Sequence, residues 1–547
     1  MRARLLIPAL VSTLLPAQAQ SGIDEPSPRT TPERTHFART STLAEVQTFM
    51  NALATHGHGL APWQPADAPS TTERGKPLLA WRLPALTAPA IRVYLNGNIH
   101  AGEVEGKEAL QELARELVEG KHPELRKHIE FIFMPCYNAE GTDDLDPAHR
   151  THQPNPESGV GRRETDRGLD LNRDAMKAEA ANTRWYLAML RAFDPHVIFD
   201  LHTTNGSYHG FHLTYAPALT LGGDPALLAF NRRLLNDVRE GLKQEGMPTY
   251  DYGNFAPEDS GAKPEKWESY DPFPRYMVNH AGLTGRLGIL SEAYVYRSFP
   301  ERIADTKRFI LASLRWIATH REEVRRVTRE AQAARPNTLP IAARLMETER
   351  FSFDIIDPIK NAQGRVLGEK SRRREELPSF VTFTAVKESE VGLPAGYLVH
   401  PSFAAEIKSA LEAQGIHTEP GTARPALPVL SFEETGRKIA TRPYQGVFSL
   451  DLEGRWTSSP PKGAVPWTPG DLHQALWVSL NQPQGRLAFY LLDPRSPDGL
   501  VHWGKFHSVL LRGGWGETPR FPILAVGHQA AGEPSRGIPT PTAKKQE

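Results

Sequence analysis

The chain has 547 residues, with 64 Lys and Arg against 64 Asp and Glu, 39% hydrophobic residues and 23% charged ones. That length exceeds one ordinary domain, so two or more folded units are expected, and the mix is that of a globular protein, with disorder expected only at the ends. The zero net charge offers no electrostatic footprint for nucleic acid or an anionic membrane surface, so neither is an expected partner.

The N-terminus reads MRARLLIPALVSTLLPAQAQ, with Arg2 and Arg4 ahead of an apolar run from Leu5 to Leu15 and the small-residue site Ala17-Gln18-Ala19. This is the pattern of a secretory signal peptide over residues 1–19, and a secreted or periplasmic location is expected after cleavage. The run is shorter than the roughly 20 residues a membrane-crossing helix needs, and no other segment is long and apolar enough, so no stable membrane insertion is expected. Cys136 is the single cysteine, so no internal disulfide framework is expected; within FIFMPCYN it reads as a small buried apolar residue.

Residues 20–75, rich in Pro, Thr, Ser and His, read as a leader with one helix over Leu43 to Ala54. From residue 76 strands and helices alternate. The strand-like runs are Leu78 to Leu83, Ile91 to Leu95, Ile129 to Met134, Val197 to His202 and Leu287 to Leu290. Helical patterns cover Val104 to Glu119, Ala178 to Phe193, Asp224 to Glu245 and a long Glu301 to Ala333. Such alternation predicts an α/β domain with a mixed or mostly parallel sheet over residues 76–335, whose ligands bind beyond the carboxyl ends of the strands. Pro336 and Pro340 mark a boundary. The remainder, 336–530, carries short runs between Pro and Gly turns (Phe351 to Ile356, Phe380 to Val386, Gly446 to Leu452, Leu487 to Leu492, Phe521 to Val526) and one helix over Phe403 to Gln414. It reads as a smaller β-rich domain, followed by a flexible tail over 531–547.

Chemistry-bearing residues gather at the strand ends. His100-Ala101-Gly102-Glu103 puts an imidazole and a carboxylate one short turn apart, within reach of a single ion. Catalytic zinc takes three protein ligands and keeps a fourth position open, and two His with one Glu is such a set. By itself the pair is weak, since a surface His and a Glu at a helix start give the same spacing. A third ligand is available in His202, which ends the run HVIFDLH, and a carboxylate for acid–base work in Glu292, which follows GILS. His209 and His212, in GSYHGFH, read as pocket-lining or structural, since the ligand set is already complete without them.

Taken in order, HAGE at 100–103, RETDRGLDLNRD at 163–174, DLHT at 200–203 and ILSEAY at 289–294, with the Asn138-Ala139-Glu140-Gly141 turn, resemble the zinc carboxypeptidase family, the carboxypeptidase A-like M14 metallopeptidases. The match spans residues 75 to 320. The resemblance implies one Zn²⁺ per chain on His100, Glu103 and His202, with Asp170 holding a ring nitrogen of His100. It implies Glu292 as the general base acting on a zinc-activated water and Arg163 as the group that polarises the scissile carbonyl, with Arg162 and Arg167 as competitors for that role. Asn172 and Arg173 would bind a peptide's free C-terminal carboxylate, and Tyr270, or alternatively Tyr276, would close over the substrate. Asp200 could brace a neighbour on its own strand face. The chain departs from the family form at Asp174, where Asn is usual, which adds negative charge beside the carboxylate clamp.

The implied activity is that of a secreted metallocarboxypeptidase acting on peptides. The alternatives are a zinc amidase acting on peptidoglycan stem peptides or acylated amino acids, and an inactive peptide-binding relative. The sequence leaves open the side-chain specificity, the oligomeric state and the role of the C-terminal domain.

Overall fold

The computed structural model describes residues 27–528, apart from 57, 256–265, 348–350, 363–365, 378, 460–466 and 512–520. The expected signal peptide and the expected tail at 531–547 lie outside the described residues.

The α/β half is built on an eight-stranded mixed sheet. Its strands are β1 (Ala61–Trp63), β2 (Ala80–Leu83), β3 (Ile91–Gly97), β4 (Ile129–Met134), β5 (Val197–Thr203), β6 (Leu213–Pro217), β7 (Thr249–Asp251) and, after two short strands outside this sheet, β8 (Asn254–Phe255) and β9 (Lys266–Glu268), β10 (Leu287–Ala293). They lie in the order β1-β2-β4-β3-β5-β10-β6-β7. The four central strands, β4, β3, β5 and β10, run parallel. β5 and β10 are buried along their whole length, which is why they read as near-continuous apolar runs rather than alternating ones.

Helix Glu105–Val118 covers one face, where Gly106 abuts Leu201 of β5 closely enough that a Cβ would come within 2.7 Å of the Leu201 Cβ. On the other face Tyr94 of β3 packs on Tyr186 of helix Ala181–Ala192, and that ring meets His280 of helix Met277–Leu283. His202 and Glu292 emerge on this second face. β3 has β4 on one side and β5 on the other, so the chain reverses direction across the sheet between them. The crevice beyond their carboxyl ends is where a ligand fits in such a fold.

Residues expected as a leader join this half. Helix Leu43–Thr55 buries Leu43, Val46, Phe49, Met50 and Leu53 in the main core, and β1 adds an edge strand to the sheet.

The strand-rich half holds a six-stranded antiparallel sheet in the order Glu419–Pro420, Leu476–Ser479, Gly396–Val399, Ile523–Val526, Val429–Ile439, Leu450–Thr457. The two halves interlock. β8 and β9 belong to a four-stranded sheet completed by Ala343–Glu347 and Ser379–Ala385, with β9 parallel to Ser379–Ala385.

Three expectations are corrected. The single helix over Glu301 to Ala333 is two, Phe299–Thr319 and Arg321–Ala333, because His320 (φ −99°, ψ 23°) leaves the helical ladder and stacks its ring on Trp316 at 3.8 Å. The run Leu487 to Leu492 lies in the helix Gly485–Leu492, not a strand. Every residue from Leu487 to Leu492 is buried, so the sequence shows no amphipathic period to separate the two. The strand read over Gly446 to Leu452 begins at Leu450, since Gly446 and Val447 belong to a hairpin turn.

Candidate metal centre and active-site cleft

β3 ends at Gly97, and Asn98 (φ +64°) turns the chain off the sheet into the loop that carries His100 and Glu103. The Glu103 N–H donates to the His100 carbonyl at 2.9 Å, a tight turn that sets both side chains toward one point. The turn needs small residues. A Cβ on Gly102 would lie 2.9 Å from the Gly161 carbonyl, and one on Gly161 would lie 2.3 Å from the carbonyl of Gly141. Backbone thus packs directly on backbone where the His100 loop, the Asn138 turn and the Arg163 segment meet. Asn138 caps helix Ala139–Asp143 and donates from Nδ2 to the Arg163 carbonyl (3.0 Å), which fixes the strand of chain leading to Arg163.

His202 stands at the end of β5, and in the parallel register it pairs directly with Glu292 of β10, so both side chains share one face and one crevice. His100, Glu103 and His202 each offer a ligand atom within 4.8 Å of the others, and all three are buried. His100 Nδ1 lies 3.2 Å from one Glu103 oxygen and His202 Nδ1 lies 2.9 Å from the other. The far nitrogens face carboxylates. His100 Nε2 donates to Asp170 Oδ1 (3.1 Å) and His202 Nε2 donates to Asp200 Oδ2 (2.9 Å). Carboxylates on the outer nitrogens favour the tautomer whose Nδ1 lone pair points inward, the arrangement seen around metal-ligating histidines. Two imidazoles and a carboxylate so braced fit a zinc ion.

Neighbouring charges decide the state of these buried groups. Burial would raise the Glu103 carboxyl, but His100 and Arg150 outweigh it and hold the group well below the usual carboxylate range. Asp170 is likewise buried, yet Arg173, Arg163 and His100 hold it well below its ordinary value. Burial alone would lower His202, but Asp200 and Glu103 reverse this and hold it well above. Glu292 behaves in the opposite way. Burial pushes it up to about 8, and its Oε2 has no hydrogen-bond partner among the described residues.

A cavity of about 50 Å³ joins these groups, lined among others by His100, Glu103, His202 and Glu292 with Arg163, Asn172 and Arg173. Of the three candidate arginines only Arg163 lines it, donating from Nε and Nη2 to Asp170 Oδ2 at 3.2 and 2.9 Å. Arg162 is turned to Asp144 and Asp166, and Arg167 is exposed. Asn172 lies 3.5 Å from His202 Nε2 and accepts through Oδ1 from the Met277 N–H. Arg173 is buried over the Tyr276 ring, at 4.6 Å.

Tyr270 and Tyr276 both line the cavity. The Tyr270 hydroxyl donates to Asn279 (3.2 Å) and that of Tyr276 to Asp271 (3.0 Å). Asp174 turns its charge away from the cavity. Its carboxylate accepts from the N–H groups of Glu179 and Ala180 at 3.1 and 2.9 Å, ahead of helix Ala181–Ala192, with Lys177 at 3.9 Å.

His209 is structural, packed on Tyr294 at 4.2 Å, and burial lowers it to about 3. Sequence reasoning missed Arg150, whose Nη1 donates to Glu103 at 2.8 Å, and Tyr252, which lines the cavity. Neither sits in a motif that would have singled it out.

A family model described as zinc carboxypeptidase matches residues 71–193. These residues belong to a zinc carboxypeptidase domain, and the enzyme is a zinc metallopeptidase. The matched stretch holds His100, Glu103, Arg163, Asp170, Asn172 and Arg173, while His202 and Glu292 lie beyond it and are joined to it through β3, β5 and β10. A search of curated proteins finds no match. Among solved structures, a metallo-carboxypeptidase from Burkholderia cenocepacia is similar at 15% identity and TM-score 0.39, covering 51% of this chain and 70% of that one. A Pseudomonas aeruginosa metallo-carboxypeptidase is similar at 16% identity and TM-score 0.38 (52% and 70% covered). A carboxypeptidase A from Helicoverpa armigera is similar at 12% and TM-score 0.37 (52% and 75% covered).

Proposed function

We propose that this zinc carboxypeptidase is an exported enzyme that removes residues from the free C-termini of peptides, with one metal ion per chain on His100, Glu103 and His202. The observation that carries the reading is the single cavity that gathers this triad, the high-pKa acid Glu292 and the buried cation Arg173. Export rests on the signal-like pattern of residues 1–19.

Zinc, when bound, supplies a Lewis acid that activates water and polarises a carbonyl. Asp170 and Asp200 keep the two imidazoles turned so that their Nδ1 atoms face the metal position. Glu292 takes the proton of the attacking water and returns it to the leaving amine nitrogen. Burial raises Glu292 in the metal-free cleft, and the charge of a bound zinc ion would draw it back toward the ionised form that a base requires. Arg163, already ion-paired to Asp170, is the side chain of the cavity placed to meet the negative charge developing on the carbonyl oxygen. Asn172 and Arg173 bind the terminal carboxylate, for which a planar guanidinium is suited. Tyr270 and Tyr276 wall the pocket on that side.

A peptide-library digest read by mass spectrometry, with free and amidated C-termini and with and without a chelator, tests the reading. Loss of single residues from free C-termini, abolished by chelation and restored by added zinc, is the expected result. Amidated peptides trimmed as fast as free acids would remove Asn172 and Arg173 from the account.

A further inference from the structure

The hairpin formed by Val429–Ile439 and Leu450–Thr457 belongs to the strand-rich half, yet its tip touches the clamp. Tyr444 and Val447 exchange two backbone hydrogen bonds, 2.8 and 3.0 Å long, across a two-residue turn, Gln445-Gly446. Both turn residues have positive φ, +51° and +77°. That is the geometry of a type I′ turn, which matches the twist of the flanking strands. Glycine adopts it freely, whereas a glutamine there is uncommon and held at some cost.

Two side chains of this tip reach the cleft. Gln445 Oε1 accepts from the Asp170 N–H at 3.1 Å, so the residue at the unfavourable φ holds the backbone of Asp170, whose carboxylate orients His100. The Tyr444 hydroxyl accepts from Arg173 Nε at 2.7 Å. Arg173 Nη1 donates to the Asn172 carbonyl at 2.9 Å, while Nη2 makes no hydrogen bond among the described residues. Two bonds at fixed ends and the Tyr276 face at 4.6 Å define the plane of the guanidinium. The Tyr444 ring is itself held against Trp503 at 6.1 Å.

We propose that Tyr444 and Gln445 are positioning residues of the active site, with Tyr444 setting the plane in which Arg173 presents its remaining donors to the substrate's terminal carboxylate. The proposal rests on the carboxypeptidase reading. It gives the strand-rich half a part in recognising the C-terminus, since a fork that must bind a carboxylate with two parallel bonds loses strength when its plane is free to rotate.

The test compares wild type, Tyr444→Phe and Tyr444→Ala on matched peptides with free and amidated C-termini, with zinc content measured alongside. Tyr444 is 41% exposed, so neither change opens a core cavity. The expected result is that both variants lose roughly tenfold of the preference for the free acid, through KM, with kcat and zinc content held, as for one lost hydrogen bond to a charged group. A packing role alone would be restored by Phe. A Tyr444→Phe enzyme that keeps the wild-type preference overturns the inference while leaving the carboxypeptidase reading intact. A wild type indifferent to amidation takes down that reading and this inference together.

Discussion

The two ends of the cleft are built differently. At the proposed metal end each side chain is delivered by the central sheet or a loop leaving it. His202 and Glu292 are register partners on β5 and β10, and His100 and Glu103 follow β3 directly. At the clamp end, Arg173 lies in a short turn, Leu171–Arg173, and depends on distant chain: Tyr276 beneath it and Tyr444 at its Nε. Strand ends hold reactive groups rigidly because the hydrogen-bonded ladder fixes them. A turn needs outside support to achieve the same, and here the support comes from the other half of the molecule.

The sharpest way to break the metal end is His202→Ala, which should lose zinc on dialysis and fall to background hydrolysis; a variant that retains a full equivalent of metal by elemental analysis would remove His202 from the ligand set. Glu292→Gln should keep zinc and lose at least about a hundredfold in kcat, the usual scale for a general base, and near-normal turnover would refute the assignment. Asp200→Asn leaves the ligands intact but weakens the brace on His202. Its zinc affinity, measured by competition with a chelator, should fall roughly 10- to 100-fold.

A smaller effect sharpens the contrast from the clamp side. His280, in the helix behind Met277, donates from Nε2 to Gln414 of the strand-rich half at 3.0 Å, and burial lowers it to about 4. In the unfolded chain this imidazole titrates near 6.5. The unfolded state therefore binds the proton first. Its contribution is full above about pH 6.5 and is lost as pH falls toward 4, by about 2 kcal/mol at pH 5. His280→Gln should flatten the loss of stability between pH 7 and pH 5 in denaturant titrations, and an unchanged slope would show that His280 does not link the halves in this way.

The metal end was legible because its spacing is local and its strands are apolar runs. HAGE, DLHT and ILSE each announce a strand end with a donor on it. Asp170 was reached through the resemblance rather than through any local pattern. Arg150 was not legible, since it reaches Glu103 from a loop at φ +47° that no periodicity marks. The pair Tyr444 and Gln445 was invisible for a related reason. Its contacts with Arg173 and Asp170 join residues some 275 positions apart, and nothing in a turn sequence says what its tip will touch. The helix at Gly485–Leu492 escaped because complete burial erases the period that separates helix from strand.

The four-stranded sheet shared by the two halves has a practical consequence for anyone shortening the chain. Ending it at residue 335 would strip β9 of its parallel neighbour at Ser379–Val381 and leave a bare edge beside the buried Trp267. Unpaired edges of that kind recruit other chains, so the excised fragment should clump rather than behave as a minimal enzyme.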